Sequence, residues 1–251
     1  MKQTIAFFLF IYHIISAASA QLTGPLSKTG AESNFAQYLR LSSVDGANKS
    51  GEETTDEFNN REHTKGRRFL FNNWVKGSGV EAANKQMLDV SHYLFNYDMQ
   101  TGNLLVTENK RQIMSVAPSG VSSFTLENGG KKFLFVHAPV IDSNRFFLRL
   151  TADDSLYTLY KDCKVKFVKS DYRNDGMIQT GDPDDSYPDI SAYYITRPHE
   201  NTFRQISFRP KEIKNLLVAE KETVSRYFSD HSDDEINEVF LTGLINKINA
   251  K

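Results

Sequence analysis

Arg145-Phe146-Phe147-Leu148-Arg149-Leu150, a polar turn at Asp153-Asp154-Ser155, then Leu156-Tyr157-Thr158-Leu159-Tyr160 and Cys163-Lys164-Val165-Lys166-Phe167-Val168-Lys169 make up the stretch that decides the fold. From Cys163 to Phe167 apolar residues occupy every second position, with lysines between them. Successive side chains of a strand point to opposite faces, so this alternation asks for one buried and one wet face. The stretch reads as an antiparallel pair at the centre of a sheet, its lysines toward water.

Outward from that centre the strand signals continue in both directions. Asn128-Gly129-Gly130 is a hairpin turn, because those residues accept the positive φ of a two-residue connection. Phe133-Leu134-Phe135-Val136 is apolar on both faces and predicts a central strand. Upstream, Asn103–Glu108 and Arg111–Ala117 flank a polar Asn109-Lys110 turn, and Met87–Tyr97 carries one or two strands. Phe69–Val75 reads as a first strand, which Gly77 and Gly79 break. Downstream, Ala192–Thr196 and Phe203–Phe208 close the β portion.

At Pro210 the period changes. Ile213, Leu216, Leu217, Val224 and Phe228 recur at helical spacing and predict an amphipathic helix from Lys211 to about Phe228. Ser232-Asp233-Asp234-Glu235 is a capping box, and Ile236, Val239, Phe240, Leu244, Ile245 and Ile248 mark the apolar face of a last helix. Strands first and helices last, with no βαβ alternation, predict an α+β fold. The expectation is a mainly antiparallel β sheet, a sandwich or partly closed barrel, with two C-terminal α-helices packed on it.

The ends and the composition bound the function classes. Lys2, the apolar run Ile5–Ile15 and Ala18-Ser19-Ala20 form the pattern of a signal peptide over residues 1–20, with a core too short to span a bilayer. Residues 21–66 are polar and read as a flexible leader, with Gly46–Lys65 offering almost nothing to bury. Residues 67–251 are then one β-rich domain. Removing the first twenty residues leaves 251 − 20 = 231 residues, and the loss of Lys2 takes the formal charge from −1 to −2. Such a balance argues against nucleic-acid or anionic-membrane partners. Cys163 is the single cysteine, so no internal disulfide framework exists. Its register with Val165 and Phe167 marks it as a buried apolar residue rather than a reactive thiol.

No catalytic signature is present: no Gly-x-Ser-x-Gly elbow, His-Glu-x-x-His, Cys-x-x-Cys or phosphate loop. The acidic loop Asp171–Asp189 places Asp182, Asp184, Asp185 and Asp189 within eight residues. Oxygen ligands on a turning backbone are what calcium takes, but the spacing is not that of an EF-hand, and the reading is a solvated loop with no cofactor required. With the neighbouring Tyr193 and Tyr194, whose rings offer an apolar face and a hydroxyl, these aspartates form the candidate ligand-binding group. Lys161, Lys164, Lys166, Lys169 and Arg173 make a basic stripe that reads as the wet side of a strand.

Arg68-Phe69-Leu70-Phe71-Asn72-Asn73-Trp74-Val75-Lys76-Gly77, Phe95-Asn96-Tyr97-Asp98 and Ser155-Leu156-Tyr157-Thr158-Leu159-Tyr160-Lys161 resemble a broad group of exported proteins of the Bacteroidota phylum, over about residues 68–249. The group has no established activity, so the resemblance implies export from a diderm bacterium and carries no functional residue. The reading is therefore an exported protein, periplasmic or extracellular, that binds a protein or saccharide at the cell envelope without catalysis. The alternative is a hydrolase whose acid and base meet in space, with Asp153, Asp154, Asp184 and Asp185 as candidates.

Overall fold

The structure, a computed structural model, describes Phe35 and residues 49–51, 63–152, 156–176, 178–198, 200 and 202–250. The signal-peptide pattern, most of the expected leader, Asp153 and Asp154 lie outside the described residues. The strands are β1 (Lys49–Gly51), β2 (Thr64–Gly66), β3 (Val75–Ala82), β4 (Met87–Leu88), β5 (Leu94–Asp98), β6 (Asn103–Thr107), β7 (Ile113–Val116) and β8 (Val121–Asn128). They continue as β9 (Lys131–His137), β10 (Phe146–Arg149), β11 (Thr158–Asp162), β12 (Arg173–Asn174), β13 (Gln179–Thr180), β14 (Asp185–Tyr187), β15 (Ala192–Thr196) and β16 (Arg204–Ile206). Among the described residues the main sheet runs β1-β7-β6-β5-β3-β8-β9-β10-β11-β15-β16, with β4 attached to β3. Every pairing in it is antiparallel. The expected β8–β9 hairpin turns through Gly129 (φ 57°) and Gly130 (φ 75°).

The sheet is not flat. The Tyr97 hydroxyl on β5 donates to the Phe146 carbonyl on β10 at 3.0 Å, although β3, β8 and β9 lie between them in the sheet. Four strand spacings in a flat sheet would be about 19 Å. The sheet therefore rolls into an open, barrel-like curl whose interior is aromatic. Tyr97 lies 4.6 Å from Phe135, Phe135 stacks on Phe124 at 4.9 Å, and Phe124 meets Phe146 edge-on at 4.8 Å. Gly77 and Gly79, expected to break the chain, instead sit inside β3 at a register shift that bends it. A Cβ on Gly77 would stand 2.8 Å from the Phe95 ring, so glycine lets the interior rings close against the backbone.

One end of the curl is fastened by Arg145. Its Nε donates to Asp162 at 2.8 Å, one terminal nitrogen to the carbonyls of Met99 (2.8 Å) and Cys163 (3.0 Å), and the other to Gln100 (3.2 Å). Both charged side chains are buried. Gly102, at φ 83°, makes room: a Cβ there would lie 2.8 Å from the arginine's Cγ. Asn96 and Asp98 hold the adjoining strand end. The Asn96 side chain pairs with both backbone groups of Phe71, and Asp98 accepts from Arg68 and from the amides of Gln100 and Thr101.

Past β10 the same sheet face carries a second core beneath the helices α1 (Pro210–Leu216), α2 (Lys221–Asp230) and α3 (Glu238–Asn249). Leu159, Tyr193, Ile195 and Ile206 from the sheet meet Ile213, Leu217, Val224, Leu241, Leu244, Ile245 and Ile248. The single helix expected over Lys211–Phe228 is two. Leu217 leaves the helical region (φ −103°, ψ 30°) and a 3₁₀ turn at Val218–Glu220 re-aims the chain, so that Ile213, Leu217 and Val224 all reach the core. The last helix packs on the sheet as expected, but Val239 is off its buried face, at 80% exposure. Its cap is Asn237, whose side chain accepts from the amides of Val239 and Phe240, and not Ser232. At its far end the Asn249 amide pairs with both backbone groups of Tyr157.

Two further expectations change. Parts of the segment read as leader belong to the fold: Phe35 is fully buried against Tyr93 and Phe95, β1 extends the sheet beside β7, and β2 pairs in parallel with β14. Cys163–Lys169 is not a continuous strand. Its strand-like pairing is limited to isolated bridges, Val165 to Asp189 and Val168 to Ser186, with further single hydrogen bonds to Met99, Pro188 and Ile190, and Phe167 is 40% exposed against Tyr187.

Removing one partner of a buried ion pair strands the other, so Arg145→Ala should destabilise the protein by about 3–5 kcal/mol in urea unfolding. Phe240→Ala should cost about 3–5 kcal/mol through the cavity it leaves. In the same assay Asn237→Ala should cost about 1 kcal/mol and Ser232→Ala much less; the reverse order would misplace the cap.

Candidate functional site

The four aspartates of the acidic loop are in structural use. Asp182 is chelated by Lys65 (2.9 and 3.0 Å) and accepts from the Asp184 amide. Asp184 lies 3.2 Å from Lys65 and 3.4 Å from His63. Asp185 accepts from the Ser170 amide at 2.7 Å, and Asp189 from the Ser191 amide at 2.8 Å. The lysine holds the Asp182 carboxyl below its ordinary range, helped by the Asp184 amide. Among the described residues no group of three or more His, Cys, Asp or Glu side chains is placed to hold a metal ion. Lys65 comes from the segment read as leader, which is why the loop looked unpaired in the sequence.

Tyr193 and Tyr194 are separated by the strand itself. Tyr193 faces the helices and donates to Glu238 at 2.7 Å; the same carboxylate oxygen accepts from Lys161 at 2.7 Å. Lys161 was expected on the wet face with the other lysines, but it lies in register with Tyr193 and turns toward α3. The Lys161–Glu238–Tyr193 contact fastens the first turn of α3 to the sheet. Burial pushes the Tyr193 hydroxyl up, as does its bond to Glu238.

Tyr194 points the other way, onto the sheet face opposite α1, α2 and α3. There it lies directly opposite Tyr160 on β11. The Phe147 ring meets Tyr194 edge-on at 5.9 Å, and Phe203 meets Tyr160 edge-on at 5.6 Å. Phe147 is 1% exposed beneath this layer, while Tyr160, Tyr194 and Phe203 are half-buried. Arg149 shares the face in register with Tyr160, Gln205 with Tyr194, and Thr158 with Thr196. Burial raises the Tyr194 hydroxyl above its ordinary value, with Asp162 and Asp142 adding to it, so it stays a neutral donor. The result is a half-buried aromatic patch of edge-on rings, with amide, hydroxyl and guanidinium groups on the same face. It can stack an apolar face and hydrogen-bond its edges. Of these residues the sequence reading singled out only Tyr194; the alternation of Leu156 to Tyr160 held the signal for Tyr160.

A second recess follows the outer seam of α2 and α3, lined by Thr223, Arg226, Tyr227, His231, Asn246 and Lys247 among others. His231 stacks on Tyr227 at 3.9 Å, and its Nδ1 lies 2.9 Å from that residue's carbonyl. Gly243 lets the Tyr227 hydroxyl reach the backbone of α3.

Comparison with models of known families, with curated proteins and with solved structures found no match. No helix among the described residues is long and apolar enough to cross a membrane.

Cys163, 2% exposed, has its thiol pushed up to about 12 by burial, with Glu238 and Asp162 adding to it and Lys161 opposing. Thiol reagents should therefore react slowly with the native protein at neutral pH. A raised folded value protects stability below the unfolded value of 9.0 and loses it as pH climbs from there toward 12. Urea unfolding across pH 8–10 should fall less steeply in Cys163→Ala than in the parent.

Proposed function

We propose that the chain is an exported, non-enzymatic binding protein of the cell envelope, and that the aromatic layer takes a saccharide. The observation that carries this is the directly opposed pair Tyr160 and Tyr194, flanked by Phe147 and Phe203 on a sheet face that no helix covers among the described residues. Sugar rings present C–H faces that lie on aromatic rings and hydroxyls that reach polar edges, and here the polar neighbours on the same face are Arg149, Thr196 and Gln205. The rings span adjacent strands, and no pocket encloses them among the described residues, which suits a polymer lying on a surface more than a small molecule enclosed in a pocket. Export rests on Lys2, the apolar run to Ile15 and Ala18-Ser19-Ala20. The resemblance to Bacteroidota exported proteins agrees with that destination. Asp184 and Asp185, the described candidates for a hydrolytic pair, are committed to Lys65 with His63 and to the Ser170 amide, which favours binding over catalysis.

Native electrophoresis through gels containing soluble glucan, xylan or galactomannan tests the reading. At least one polysaccharide should retard the mature chain. Tyr194→Ala and Tyr160→Ala should each weaken binding about tenfold or more, the scale of a central aromatic contact, with folding intact by circular dichroism. Retardation that survives the double substitution would remove the layer as the site. N-terminal sequencing of the exported protein should begin at Gln21.

A further inference from the structure

The recess along the outer seam of α2 and α3 has a volume of about 600 Å³, inside the usual range of small-molecule sites, about 300–1,000 Å³. Thr223, Arg226, Tyr227 and Asp230 form its wall on α2, and Gly243, Asn246, Lys247 and Ala250 its wall on α3. Each set follows the i, i+3, i+4, i+7 spacing that puts side chains on one face of a helix. The recess is therefore a product of the helix pairing and not of a loop. Gly243 brings its two walls together, since a Cβ there would collide with the Tyr227 hydroxyl.

The polar groups of this lining are not used by the fold. Among the described residues the side chains of Thr223, Asp230, Asn246 and Lys247 have no hydrogen bond or ion pair, and neither has the Tyr227 hydroxyl. Burial raises that hydroxyl above its ordinary value, with Asp234 adding to it, so it stays a neutral donor. Arg226 pairs with Glu222 at 3.1 Å, but both side chains are exposed, and an exposed pair of this kind is weak enough to share its guanidinium. His231 is oriented: the Tyr227 carbonyl only accepts, so Nδ1 carries the proton and the neutral ring keeps its lone pair on Nε2. Both signs of charge line the recess. Asp230 ends α2, whose last turn holds no basic residue. The helix C-terminus adds partial negative charge at that point, so a cation is the group it lacks. Lys247 on the opposite wall, with Arg226 one turn before Asp230, is complementary to an anion. The stacked rings of Tyr227 and His231 supply apolar surface between these groups.

We infer that the recess takes a zwitterion, an α-amino acid or short peptide whose ammonium group meets Asp230 and the C-terminal end of α2 and whose carboxylate meets Lys247 and Arg226. Thr223, Tyr227 and Asn246 hydrogen-bond what lies between the charged ends. The site uses none of the residues of the aromatic layer and stands independently of the saccharide reading.

Calorimetric titration of the mature chain with alanine, dialanine, propionate and ethylamine tests it. Alanine or dialanine should saturate with a Kd of about 1 mM or tighter, and propionate and ethylamine, which each keep one charge, should bind about tenfold more weakly or worse. Asp230→Asn and Lys247→Gln should each raise the Kd of the zwitterion by about tenfold. Both positions are exposed, so the melting temperature should stay where it is and loss of binding will not be loss of fold. The Tyr160→Ala, Tyr194→Ala double variant should leave this Kd unchanged, so the recess and the polysaccharide site fail separately. Dialanine binding tighter than alanine assigns the site to a peptide; the reverse order assigns it to a free amino acid. Absence of saturation by either zwitterion up to about 20 mM, propionate or ethylamine binding as tightly as the zwitterion, or a Kd that neither Asp230→Asn nor Lys247→Gln moves overturns the inference.

Discussion

The buried guanidinium of Arg145 is the constraint on which the architecture depends. Arginine stays charged in any protein environment, so a buried one must find partners for its donors or the state that buries it is lost. Here the partners are a carboxylate at the end of β11 and carbonyls at residues 99, 100 and 163. Those groups meet only when the sheet has rolled far enough to bring the end of β5 against the start of β10. Tyr97, hydrogen-bonded to the Phe146 carbonyl beside it, imposes the same requirement from the interior. A half-rolled sheet would leave the charge, Asp162 and three carbonyls unsatisfied at once. A buried ion pair of this kind adds little net stability over a well-packed apolar substitute. Its effect is to make partly closed states costly, which sharpens the choice of one curvature.

The motif Phe95-Asn96-Tyr97-Asp98 has a physical account on the same terms. Phe95 and Tyr97 fill the interior, Asn96 stands in for a strand partner at Phe71, and Asp98 closes the turn that delivers residues 99 and 100 to Arg145. Four consecutive residues thus serve one end of the curl.

Much of the sheet was legible because its cues are local. Asn128-Gly129-Gly130 carries its turn in three residues, and the apolar period of Phe240 to Ile248 carries its helix in nine. What could not be read depends on distant segments. Lys65 neutralises Asp182 across 117 positions of sequence, and Arg145 takes its partners 17 and 46 residues away. Lys161 looked like one lysine of a wet stripe, and only the arrival of Glu238 turns it inward. The cap at Asn237 was hidden by a better-looking box at Ser232, because position along the helix is decided by which apolar residues reach the sheet. Val239 lost its expected burial for that reason. In the candidate site, Tyr194 was visible as an aromatic beside a polar loop, but its partner Tyr160 is identified only by the cross-strand register.

That register also divides one strand pair between the core and the opposite face. On β11 and β15, Leu159, Lys161, Tyr193 and Ile195 face the helices, while Tyr160 and Tyr194 face outward. The period of two assigns the sides, so neither can be altered by a slip without exchanging both. An outward face built only for solubility would alternate polar residues there. Instead, Phe147 is sealed beneath Tyr194, which gives one ring a structural duty. Tyr160 and Phe203 extend the layer past the point where that duty ends, toward the last strand of the sheet. Both rings stay half-buried there, on the side of the sheet opposite Leu159, Lys161, Tyr193 and Ile195.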